Sequence, residues 1–93
     1  MPNVEIVVPA NWRVVAGQNL GDLNCDADTV RGALDWLIHK HPQFQPRLFS
    51  SGDRLASWIN IYLDNEDIRG LALLDTPIRA SAALVLVPAL AGG

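Results

Sequence analysis

Leu84-Val85-Leu86-Val87-Pro88-Ala89-Leu90-Ala91-Gly92-Gly93 closes the chain, and its character changes halfway. Leu84 to Val87 is an unbroken apolar run with β-branched residues, as a central strand buried on at least one face requires. Pro88 has no N–H and so ends ladder pairing. Small residues and two glycines follow. Lacking Cβ, Gly92 and Gly93 let the backbone approach another surface closely. A strand running straight into them delivers a carboxylate on a thin tether, of the kind a narrow enzyme channel admits. From this stretch alone a frayed end reads equally well, so the rest of the chain decides.

Working outward, Trp58-Ile59-Asn60-Ile61-Tyr62-Leu63 is the cleanest alternating strand. Ile59, Ile61 and Leu63 point one way and Trp58, Asn60 and Tyr62 the other. Asp64-Asn65-Glu66-Asp67 reads as a polar turn, with Ile68-Arg69 starting a short return strand. Gly70 to Ile78 is apolar but irregular. At the other end, Val4-Glu5-Ile6-Val7-Val8 is a strand with Val4, Ile6 and Val8 on one face, closed by Pro9. Trp12 to Gly17 is a connection, and Leu20, Leu23 and Cys25 suggest a second strand returning beside the first. Asp28 or Thr29 caps the one clear helix. Val30, Ala33, Leu34, Leu37 and Ile38 form its apolar stripe. His39, Lys40 and His41 suit its negative end, and Pro42 closes it. Gly32 reads as a point of close approach between helix and sheet. Phe44 to Phe49 is expected to form one helical turn beneath the helix, and Ser50 to Asp53 a loop.

The order β-β-α-β-β-β with a single long helix gives an α+β fold of the β-grasp, ubiquitin-like kind. A mixed four- to five-stranded sheet packs on one main helix. The first and last strands lie side by side and parallel, which puts the tail at one end of the sheet. The expected division is a β-grasp domain over residues 1–88 and a flexible tail over 89–93. One helix covers one face of such a sheet, yet Val7, Trp58, Tyr62 and one parity of Leu84 to Val87 must point away from it. An exposed apolar patch beside a tether marks a docking surface, unless loops such as Val14-Val15 or Leu71 to Leu74 fold over it.

Composition excludes several functions. A chain of 93 residues with 49% apolar and 18% charged residues is a single globular unit. Its net charge of −3 and seven scattered basic residues argue against nucleic acid as a partner. Cys25 is the only cysteine, so no internal disulfide forms, and it reads as a small buried apolar residue. Met1-Pro2-Asn3 is no basic n-region, Glu5 interrupts the first apolar run, and Ala82 to Ala91 is too short to cross a bilayer. A soluble, cytoplasmic protein without a membrane partner is expected. His39 and His41 share no helix face, Asp64, Glu66 and Asp67 sit in a turn, and Ser50, Ser51, Ser57 and Ser81 have no evident His partner. Glycine-rich phosphate loops are absent. No catalytic constellation and no metal site is expected, which leaves the Gly93 carboxylate as the group with evident chemistry.

These features resemble the MoaD/ThiS family of ubiquitin-like sulfur carriers over Val4 to Gly93, and within it the cysteine-biosynthesis carriers. The likeness is carried by Asn60-Ile61-Tyr62-Leu63-Asp64-Asn65-Glu66-Asp67-Ile68-Arg69, by Leu86-Val87-Pro88-Ala89-Leu90-Ala91-Gly92-Gly93 and by the Asp28-Thr29-Val30 helix start. The resemblance implies a protein co-substrate that is not itself an enzyme and holds no bound cofactor. An E1-like enzyme adenylates Gly93 with ATP, and a sulfurtransferase or other sulfur donor turns the adenylate into a thiocarboxylate. The thiocarboxylate then feeds a pyridoxal-phosphate-dependent synthase or another acceptor enzyme, and in the cysteine pathway a metalloprotease releases the product. Leu90, Ala91, Gly92 and Gly93 enter the partner's active site. Val85 and Val87 face the partner, with Leu84 and Leu86 in the core. The alternatives are the small subunit of molybdopterin synthase and a ubiquitin-like modifier or interaction module. One departure stands out: the family's acidic, glycine-containing turn before the last strand is here Arg79-Ala80-Ser81-Ala82, which leaves the register at the strand's start open.

Overall fold

A computed structural model describes residues 2–12, 22–52 and 54–88. Its strands are β1 (Asn3–Val7), β2 (Asn24–Asp26), β3 (Phe49–Ser51), β4 (Arg54–Leu55), β5 (Ile59–Leu63), β6 (Glu66–Asp67) and β7 (Ala82–Pro88). The main helix spans Val30–Lys40. Five strands form one mixed sheet in the order β2-β1-β7-β5-β6, while β3 and β4 make a separate two-stranded hairpin. β7 is central: it runs parallel to β1 and antiparallel to β5. This is the expected β-grasp arrangement.

The helix forms where the sequence places it. Thr29 is its N-cap, with Oγ1 accepting from the Gly32 N–H at 3.0 Å; Asp28 instead offers its backbone oxygen to the Ile78 N–H at 2.8 Å. Val30, Ala33, Leu34 and Leu37 are buried and Ile38 half-buried. The His41 N–H closes the helix on the Leu37 oxygen, with His39 and Lys40 in the last turn. The apolar stripe meets the sheet's inner side, where Val4, Ile6, Cys25, Ile59, Ile61, Leu84 and Leu86 are buried. Leu37 is fully enclosed, so Leu37→Ala should leave a cavity and cost roughly 2–5 kcal/mol in a denaturant melt.

Several expectations need correction. The turn after β5 is only Asp64-Asn65, because Leu63 pairs with Glu66 and Tyr62 with Asp67. The return strand is therefore Glu66–Asp67, and Ile68–Gly70 is a 3-10 turn capped by the Asp67 carboxylate. Asp64 has φ 57°, a conformation that Asp adopts more readily than most residues. The expected loop at Ser50 to Asp53 contains part of the β3–β4 hairpin, with Gly52 at φ +57°; Asp53 lies outside the described residues. Trp58 precedes β5 rather than opening it. A Cβ on Gly32 would meet its own cap, Thr29 Oγ1, at 3.3 Å and Ala27 just past β2 at 3.6 Å. Its close approach is thus to the entry of the helix rather than to the sheet face. The second strand is Asn24–Asp26, and Leu23 adds a bond from the Ile6 N–H at 2.7 Å. Leu20, Gly17 and Val14-Val15 lie outside the described residues.

Candidate functional site: the sheet face beside the tail

β7 carries the site. Its inward residues Leu84 and Leu86 are 0% and 2% exposed. Its outward residues are Val85, half-buried, and Val87, 38% exposed. Strand alternation turns both valines away from the helix, as expected. The register then assembles a surface that local sequence cannot show. Val7 and Tyr62 both pair with Val85, from β1 and β5 respectively. Val7, Val85 and Tyr62 therefore form one row across three adjacent strands. Asn60 pairs with Val87 in the next row, and Ile59 with Pro88 is the last pair among the described residues. Val7 is exposed, and Tyr62 half-buried.

Trp58 follows this parity but does not stand on the face as a strand residue. It lies in the turn before β5, half exposed, and its indole Nε1–H donates to the Arg47 carbonyl oxygen at 3.0 Å. It flanks the end of the sheet beyond the Ile59–Pro88 pair. Leu90, Ala91, Gly92 and Gly93, the rest of the expected site, lie outside the described residues.

The opposite end of the face is polar. Glu5 pairs with Ala83, and Asp64 binds Ala83 on both sides: the Asp64 N–H donates to the Ala83 oxygen at 2.8 Å, and the Ala83 N–H donates to Asp64 Oδ1 at 3.0 Å. This clasp fixes the start of β7, which the sequence left open. The Leu71 to Leu74 segment leaves Val7 and Val87 uncovered. Its Leu73–Asp75 turn lies by the first turn of the helix, where Arg31 Nη2 meets Asp75 Oδ1 at 3.1 Å.

Arg69 is a candidate residue at the edge of this face that sequence reading missed. β6 is so short that it pairs only with Tyr62 and Leu63. Arg69 reaches across the uncovered edge of β5: its Nη2 donates to the Ile59 carbonyl oxygen at 3.2 Å and its Nη1 to Asn60 Oδ1. The available signal was that Asn60 and Arg69 stand at the two ends of the Asn60-Ile61-Tyr62-Leu63-Asp64-Asn65-Glu66-Asp67-Ile68-Arg69 segment.

The remaining titratable groups offer little chemistry. No cluster of three metal-ligating side chains exists among the described residues. Burial, and then the charge of Asp26, push the Cys25 thiol up, which keeps it protonated and poorly nucleophilic. No helix among the described residues is long and apolar enough to cross a membrane.

A β-grasp domain with an apolar sheet face beside its C-terminal strand defines a protein of the ubiquitin-like class. The sequence pattern of the ThiS family matches residues 6–93, and the chain belongs to that family as a ubiquitin-like sulfur carrier of the CysO type. It is 29% identical over 93 residues to the sulfur carrier protein CysO of Mycobacterium tuberculosis, covering 98% of this chain and 99% of that protein. The crystal structure of the Amycolatopsis orientalis BexX/CysO complex is similar at a TM-score of 0.82 and 27% identity, covering 97% of this chain and 99% of that one. The solution structure of small archaeal modifier protein 1 from Methanosarcina acetivorans matches at a TM-score of 0.82 and 29% identity, covering 100% of this chain and 98% of the other. The BexX/CysO structure is a complex, so a carrier of this kind binds a partner protein.

Proposed function

We propose that the protein is a co-substrate in sulfur transfer and that its working group is the Gly93 carboxylate. A carboxylate is a poor electrophile, so an E1-like partner must first convert it with ATP to an acyl-adenylate, releasing pyrophosphate. Sulfide-level sulfur then displaces AMP and leaves a thiocarboxylate, a softer nucleophile than the acid. Where the donor is a sulfurtransferase persulfide, the displacement gives an acyl disulfide that a second thiol must reduce to the thiocarboxylate, with a disulfide as the other product. The thiocarboxylate sulfur passes to a pyridoxal-phosphate-dependent synthase or a similar acceptor enzyme that makes cysteine or a related thio-compound. In the cysteine version a metalloprotease would free the product. The protein contributes the tether and a docking face, formed by Val7, Tyr62, Val85 and Val87 with Trp58 at its end, and no catalytic side chain. ATP belongs to the partner's site.

The observation that carries this reading is the family match running through residue 93 on a strand whose outward valines end at Pro88. Co-expression with the activating enzyme and a sulfur source should give an intact mass with one oxygen replaced by sulfur at Gly93. Finding only the free acid would sink the reading. The likeness to small archaeal modifier protein 1 favours one second reading, in which Gly93 forms an isopeptide bond. In that case the same experiment yields lysine conjugates.

A further inference from the structure

Among the described residues, Arg69 is a cation held against the apolar face by side-chain hydrogen bonds, near the end of β7. Ile59 with Pro88 is the last pair among the described residues, and Arg69 is bonded to the Ile59 oxygen and to the outward-facing Asn60. The guanidinium has five N–H donors, of which these contacts use two. Asp67 Oδ2 lies 4.0 Å from Nη1, and the Arg69 side chain remains 44% exposed. That separation is too long for a strong hydrogen bond. The acidic groups Glu5 and Asp26 sit at the far end of the face, on β1 and β2. Asp67, paired with Tyr62, offsets part of the Arg69 charge, so the face is negative where β7 begins and closer to neutral, with an outward guanidinium, where β7 ends.

We propose that Arg69 is a specificity-determining residue of the docking face, taking a carboxylate from the rim of the activating enzyme's tail channel. The proposal rests on the carrier reading given above. A planar guanidinium matches a carboxylate with two parallel N–H···O bonds. Two bonds to β5 already hold it in place, so little side-chain freedom is lost when the partner arrives. Its bond to Asn60, the cross-strand partner of Val87, lets one partner surface meet the apolar row and the cation together. The charge order along the face also gives direction, since a partner docked the other way round would bring its acidic rim against Glu5 and Asp26, where like charges repel.

The test is ATP–pyrophosphate exchange by the activating enzyme of the same organism, measured against carrier concentration in a series of NaCl concentrations. With the unsubstituted protein, KM should rise with salt as the exposed pair is screened. Arg69→Gln should raise KM about tenfold at low salt, the loss of one charge-assisted pair, with kcat unchanged and the salt dependence flattened. Lys40→Gln makes the same change in net charge on the helix side and should leave KM alone. A thermal melt on each variant separates folding from docking. A flat salt series for the unsubstituted protein overturns the proposal without reference to any variant. So does an unchanged KM in folded Arg69→Gln, or an equal loss in Lys40→Gln. Absence of exchange with the unsubstituted protein overturns the carrier reading and this inference with it, whereas normal exchange by Arg69→Gln overturns the inference alone.

Discussion

Leu86→Asp is expected to unfold the domain, and Val87→Asp, one residue on, to leave it folded. Leu86 is 2% exposed, on the inner side of the central strand, opposite Ile61. A carboxylate there has no partner among Ile6, Ile61, Leu84 and the helix stripe. Burying an unpaired charge costs about 4–5 kcal/mol or more, on the order of the whole stability of a small domain. Val87 points to the other side and is 38% exposed, so its aspartate stays solvated. The loss should be under about 1 kcal/mol, most of it β-propensity. The same charge would be desolvated when a partner covers the face, and binding to the activating enzyme should weaken at least about tenfold. Thermal melts and a binding titration on the two variants check both halves. A folded Leu86→Asp protein beside an unfolded Val87→Asp protein would exchange the two faces of the sheet.

Deleting Gly92 and Gly93 is expected to abolish activation while leaving the melt within about 0.5 kcal/mol of the full chain. The described core closes without the tail: Leu84 and Leu86 are the last buried residues of β7, and Val87 and Pro88 are already exposed. The shortened chain still ends in an α-carboxylate, now on Ala91, but that group stops two residues, roughly 7 Å of extended chain, short of where the Gly93 carboxylate would reach, and it sits on a residue with a Cβ. The deleted protein should still bind the activating enzyme through Val7, Tyr62, Val85 and Val87 and so inhibit the full-length carrier competitively. Exchange assays with both proteins present measure this. A deletion that lowers stability by several kcal/mol would show a packed tail and a different role for it.

Sequence reading succeeded where burial imposes a period. Helix Val30–Lys40 and strands β1, β5 and β7 each place an apolar set against one core, and a shift by one residue would turn that set to water. It failed where no face is buried enough to leave a pattern. β6 is Glu66–Asp67, an edge pair with solvated side chains, so its two residues look like the turn that they follow. β3 and β4 are short and mostly exposed, and Ser50 to Asp53 consequently reads as loop. Trp58 was misplaced for a related reason: its aromatic ring continues the alternation of β5, while its hydrogen bond to Arg47 depends on a chain reversal that alternation does not encode.

The sequence by itself determined the fold class, the parity of β7 and the Gly-Gly ending, because those rest on local periodicity, on the missing N–H of Pro88 and on glycine's missing Cβ. Tertiary structure alone decided which outward residues become neighbours. Val7 and Tyr62 are far apart in the chain and share a row only because β1 and β5 both pair with β7 at Val85. Asp64 clasps Ala83, and Arg69 reaches Ile59 and Asn60 because β6 is too short to cover the edge of β5. Such contacts follow from strand register, which is set by packing across the whole sheet and not by the residues adjacent in the chain.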